Sequence, residues 1–199
     1  MINKFLHKKL FAGQAGLPAG RQGFTLIETL VAMLLLSLSI AGPLTIASKG
    51  LSATNVAKDQ FVAFYLAQDA VEYVRYVRDS NCLQNPSNDG SGCSANKWLA
   101  GLQLCTSSGG TSACYVDSIQ DSVKTCPSGS CPALNYDSSA GHHYFSYTSG
   151  TATPQQFVRT VKIDNTNSDE AVVTVTVTWS DIAGVSKHVI VRENIFRWQ

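Results

Sequence analysis

Residues 23–42 read GFTLIETLVAMLLLSLSIAG. The run continues almost without a polar break from Phe24 to Ala47. As a helix it would be about 36 Å long, against a hydrocarbon core of about 30 Å. Glu28 does not fit a plain span. A charge at the centre of such a helix costs roughly 2.5–3.5 kcal/mol, so a carboxylate kept near its start needs a reason. The preceding segment carries Lys4, Lys8, Lys9 and Arg21 and no acid. A basic flank of this kind stays cytoplasmic, which places the C-terminal bulk of the chain outside. A cleaved secretory signal is the competing reading. Its apolar stretch would be about 7–15 residues and would end in an A-x-A-like site. This run is longer, and it contains the glutamate.

GFTLIE at Gly23–Glu28, behind a basic leader and ahead of an apolar run, resembles the cleavage and methylation motif of type IV pilins and type II secretion pseudopilins. The resemblance implies that a prepilin peptidase cuts between Gly23 and Phe24 and methylates the new amine of Phe24. Residues 1–23 would then be a removed leader, leaving 199 − 23 = 176 residues. It also implies a role for Glu28 in methylation and in subunit register, through the Phe24 amine of a neighbouring subunit. Physical reasoning agrees, because an amine and a carboxylate in lipid are each costly alone and offset each other as a pair. The competing role for Glu28 is to snorkel to the headgroups from the helix end.

Downstream, Ala63, Leu66, Ala67, Ala70, Val74 and Val77 recur at spacings of three and four. That is the stripe of an amphipathic helix packed on a core. We therefore expect residues 24–47 to be the transmembrane half and 48–80 the amphipathic half of one long helix. Gly42-Pro43 should kink or locally melt it, since Pro43 lacks an N–H and crowds the Ser39 carbonyl. Gly50 is a second weak point. Arg75 and Asp79, four apart, are placed for a weak pair.

The six cysteines, Cys82, Cys93, Cys105, Cys114, Cys126 and Cys131, all fall within residues 81–142, among Asn, Ser, Gly and Pro. An even number beyond a membrane-targeting segment reads as a disulfide framework in an exported region. Six cysteines allow fifteen connectivities, so the pairing stays open; three local pairs in chain order is the simplest. Zinc fits poorly, since no CxxC occurs and His142-His143 are adjacent. We expect a loop region with at most one helical turn near Ser94–Leu102.

The last part, residues 143–199, is β. Ala171–Trp179 alternates strictly, with Val173, Val175, Val177 and Trp179 on one face and threonines on the other. Antiparallel strands with one wet side read this way. Asp181–Gly184 supplies a turn, and Val185–Ile195 a return strand. Phe157–Ile163 and His143–Thr148 are two earlier strands. The expected fold class is α+β: a long N-terminal helix packed on an antiparallel sheet of about four strands, with a disulfide-stapled loop region. The pilin resemblance implies the same fold. Within that family, Leu66–Asn81, the FVRTVKI strand, the strand ending in TWSD and the terminal RENIFRW look most like minor pilins of the V type or pseudopilins of the I type.

Fifteen basic residues against fourteen acidic ones leave a net charge of +1, without the basic patch of a nucleic-acid binder. Asp164, Asn167, Asp169 and Glu170 gather oxygen donors suited to calcium. The stretch lacks the glycine and later glutamate of an EF-hand, and a hairpin loop prefers the same residues. His142-His143 at a strand entrance read as surface. No Gly-rich phosphate loop, G-x-S-x-G or selected triad is present, so neither an enzyme nor a cofactor is expected. The implied partners are other pilin or pseudopilin subunits, the prepilin peptidase, and the cytoplasmic membrane with its assembly platform. Three functions compete. They are a minor type IV pilin, a pseudopilin, and an uncleaved single-span receptor or anchored enzyme.

Overall fold

The structure is a computed structural model that describes residues 23–87, 92–106, 113–141, 143–181 and 184–197. One helix, α1 (Leu26–Gln84), opens it. Eight strands follow: β1 (Cys114–Asp117), β2 (Ser122–Thr125), β3 (Asn135–Asp137), β4 (Tyr144–Ser146), β5 (Thr151–Ala152), β6 (Val158–Asn165), β7 (Glu170–Ser180) and β8 (Ser186–Phe196). The chain divides into two units, Met1–Lys49 and Gly50–Gln199.

In the first unit, every described residue is exposed, including Leu30, Leu34, Leu38 and Ile40. Its best window has a mean hydropathy of 2.2 with none of it buried, long and apolar enough to cross a membrane. Pro43 sits inside α1, and the helix is not interrupted there, contrary to local melting. Ser and Thr hydroxyls back-bond along this segment, among them Ser39 Oγ to Leu36 O (2.8 Å) and Thr45 Oγ1 to Gly42 O (2.7 Å). They internalise polar atoms in an otherwise mostly apolar stretch.

The second unit is an antiparallel sheet covered by the upper part of α1. Sheet order is β2-β1-β6-β7-β8, and a smaller sheet runs β4-β3-β5. The expected class is right, with more strands than expected. The long strands β6, β7 and β8 form the ladder, with Val161 opposite Val175 and Val175 opposite Val191. The strand expected at 143–148 is β4, and it pairs with β3 rather than joining the main sheet. The stretch read as loop supplies β1, β2 and β3, each four residues or fewer, too short to show a period. Residues 95–101 form turns, with a 3-10 turn at Gln103–Cys105.

Ala171, Val173, Val175, Val177 and Trp179 are buried under Ala63, Leu66, Ala67, Ala70 and Val74. Alanines on that stripe let helix and sheet approach closely, and the threonines of β7 take the other face. Disulfides join Cys82 to Cys93, Cys105 to Cys114 and Cys126 to Cys131, with Cα separations of 4.5, 4.9 and 4.3 Å. The first fixes the last turn of α1, and the others bracket the β1–β2 hairpin.

Two glycines are required by backbone. Gly184 (φ +76°) turns β7 into β8, where Asp181 Oδ1 accepts from Val185 N at 2.8 Å. Gly150 (φ +89°) passes the Tyr136 carbonyl so closely that a Cβ there would lie 2.5 Å from it.

Candidate functional site

The helix begins at Leu26, so Gly23, Phe24 and Thr25 lie outside it. All three are exposed, Phe24 at 79%. The Gly23–Phe24 peptide bond therefore sits in non-helical chain, free of i→i+4 hydrogen bonds, and nothing approaches the position a Gly23 Cβ would take. A peptidase needs such a bond, because it must grip extended backbone.

Thr25 caps the helix. Its Oγ1 accepts from Glu28 N at 3.3 Å, and its carbonyl accepts from Thr29 N at 3.2 Å. Thr25-x-x-Glu28 has the spacing of a capping box, in which the threonine satisfies an orphan N–H of the first turn and the acid occupies its end. The sequence reading missed this, although the pattern was legible. It gives Glu28 a role within its own chain, since a carboxylate in the first turn faces the positive end of the helix dipole, worth about 0.3–1 kcal/mol. That term is smaller than the insertion cost of a charge, so a second partner remains energetically useful.

The other candidate residues do not converge. Asp169 Oδ1 accepts from Arg197 Nε at 2.6 Å, Asn167 Oδ1 accepts from Asp169 N at 2.8 Å, and Glu170 Oε1 accepts from Asn194 Nδ2 at 3.1 Å. Asp164 lies on β6. The calcium candidates thus serve a hairpin and its ion pair, and among the described residues no three His, Cys, Asp or Glu side chains form a metal-binding group. His143 Nδ1 lies 3.0 Å from the Tyr136 hydroxyl on the small sheet, and His142 lies outside the described residues. Arg75 pairs with Glu72 and Glu193, not with Asp79, which takes Arg78. The cross-sheet carboxylate Glu193 outcompetes the helical neighbour because it is half-buried beside the guanidinium.

The residue most deeply committed to holding the second unit together was not singled out from sequence. Arg159, on β6, is buried on the core face, where Nη1 donates to Leu66 O (3.0 Å) and Asp69 Oδ2 (2.5 Å) and Nη2 to Val116 O (2.6 Å). Its phase with Phe157, Val161 and Ile163 was the available signal, since a charge on the apolar face of a strand must find partners.

The profile of the prokaryotic N-terminal methylation motif matches residues 18–42. No curated protein and no solved structure matches the chain. The match covers the Gly23 junction, the capped helix start and the first apolar turns. It supports a type IV pilin-like or pseudopilin precursor, a structural subunit, and among the described residues one helix is long and apolar enough to cross a membrane. It also implies processing by a prepilin peptidase and assembly with other pilin subunits.

Proposed function

We propose that this chain is a minor type IV pilin, stored in the cytoplasmic membrane with its N-terminus inside, cut between Gly23 and Phe24, and assembled into or priming a pilus. The observation that carries the reading is the coincidence of the methylation motif with an exposed, non-helical junction directly ahead of a capped helix whose apolar side chains are all exposed through residue 49. Residues 24–47 are the filament-core segment, 48–80 the half that carries the sheet, 81–142 the disulfide-stapled region with the short strands β1 to β3, and 143–199 the remaining strands, which face outward.

In this mechanism the subunit does no chemistry. Cleavage generates the Phe24 amine, and its methylation leaves a cation. Glu28 of one subunit meets that cation on the next, so the only strong electrostatic contact in an apolar bundle sets the axial register. The apolar helices supply non-directional packing, and the charge pair supplies direction.

The test is mass spectrometry of the chain coexpressed with a prepilin peptidase. The expected product is 176 residues long (199 − 23) and begins with N-methylated Phe24. A chain that keeps residues 1–23 under those conditions refutes the proposal and returns the single-span receptor or anchored enzyme.

A further inference from the structure

β8 is eleven residues long and forms one edge of the main sheet. Among the described residues, no strand lies beside its outer side from Ser186 to Ile195; at Phe196 the carbonyl accepts from Arg78. A long open edge of unpaired N–H and C=O groups is unusual without a cover. The core face of this edge is also unfinished. Val175 and Val177 on β7 are fully buried, whereas their β8 neighbours Val191 and Val189 are only half-buried. Between β8 and α1 lies an apolar groove of about 460 Å³ lined by Ala57, Gln60, Phe61, Phe64 and Val189.

We infer that β8 is a strand-addition site, occupied by an extended segment of a different chain. Two features select that occupant. An open edge takes a strand, because only extended backbone satisfies its alternating donors and acceptors. The groove directly over the same edge takes that strand's apolar side chains, which recur on one face at every second residue.

Charge narrows the partner further. Exposed Arg192 has Thr174 Oγ1 as its contact at 3.4 Å, and Lys187 reaches Asp181 only at 3.9 Å, while Glu193 is already held by Arg75. The edge is therefore basic, and the incoming strand carries a carboxylate opposite Arg192.

A second copy of this chain fits poorly. Antiparallel β8–β8 pairing centred on Ile190 keeps both core faces on one side, but it sets His188 against Arg192 twice. It also reverses α1 in the second copy, although chains anchored by the same end share one polarity. Stacking against the opposite edge fails as well, since β2 offers four residues and an exposed Lys124. The occupant is a foreign strand, whichever filament the subunit joins.

The test uses the full chain in lipid nanodiscs and a synthetic strand of about ten residues alternating valine and threonine, with one glutamate. Hydrogen exchange should slow about tenfold at alternate amides of β8 and not in β2. The same peptide with its backbone amides N-methylated, which keeps the side chains and removes the donors, should lose this protection. Arg192→Glu, at an exposed position, should shift the preference about tenfold toward a peptide with lysine in place of glutamate. The inference is overturned by any of three results: no protection at about 1 mM peptide, equal binding of the N-methylated peptide, or self-association of the chain that itself protects β8.

Discussion

Replacing Arg159 with methionine keeps an unbranched apolar stem that reaches about as far as Nε and deletes the guanidinium. Four contacts are lost; the one to the Leu66 carbonyl matters least, since that oxygen lies within the hydrogen-bond ladder of α1. The carbonyl of Val116 is left buried, because β1 meets β6 at a single pair, Cys114 with Val161, and beyond that point the guanidinium bridges the gap. An unsatisfied buried acceptor costs about 1–3 kcal/mol. The ion pair with Asp69 contributes less, about 0–1 kcal/mol, since that carboxylate is 45% exposed and rehydrates when released. The guanidinium carbon lies 5.9 Å from the centre of the Tyr147 ring, worth about 0.5–1 kcal/mol. Against these, methionine removes the buried Nε, which has no partner, and a desolvated charge. The net expectation is a loss of about 2 kcal/mol for Arg159→Met, rising to about 4 kcal/mol for Arg159→Ala, which adds a cavity. For a unit of this size the methionine variant should melt about 4–8 °C lower. The assay is thermal unfolding of the full chain in nanodiscs, followed by the near-ultraviolet signal of its aromatics. Buried ion pairs are sometimes replaced by apolar residues at no cost. If Arg159→Met is neutral or stabilising, the Val116 bridge is not what holds β1 to the core, and the reasoning fails.

Burial and the hydrogen bond to Asp121 push the Tyr73 phenol from 10.0 up to about 12. The fold favours the neutral form, so its stability should be intact below pH 10 and fall as pH rises toward 12; Tyr73→Phe should flatten that fall in a pH series of unfolding midpoints. Serine substitution of both members of a disulfide should destabilise by about 2.8 kcal/mol for Cys82–Cys93 and about 2.1 kcal/mol for Cys126–Cys131, following sequence separations of 11 and 5, as read from denaturant midpoints. Glu28→Gln should leave cleavage after Gly23 intact while N-methylation of Phe24 and filament incorporation fall about tenfold, scored by mass spectrometry and by sheared-filament immunoblot; normal incorporation ends the register role. Pro43→Ala should lower filament yield without changing processing, and unchanged yield removes Pro43 as an assembly device.

The long strands were legible because their period survives burial. In Ala171–Trp179 every second side chain must be apolar to face α1, and nothing else in the chain shows that pattern so clearly. The helix stripe from Ala63 to Val74 was legible for the same reason at a different period. The short strands were not. In Cys114–Asp117 and Asn135–Asp137 three or four residues cannot establish a period, and their pairing depends on partners distant in the chain. Arg75 illustrates a second limit: spacing on the helix offered Asp79, but the tertiary fold brought Glu193 closer.

What the sequence by itself determined is local: the Gly23 junction, the apolar run, the basic flank, the Thr25–Glu28 cap and the alternation of the C-terminal strands. Each follows from neighbours within a few residues, so it is written in composition and spacing. The tertiary structure decided what depends on meeting across the chain. It split the strands into two sheets, buried Arg159 against Val116 and Asp69, and drew the calcium candidates into a hairpin. It also left β8 as an open edge, with Ile195 buried under α1 but Val189 and Val191 only half-covered, because α1 is one helix wide.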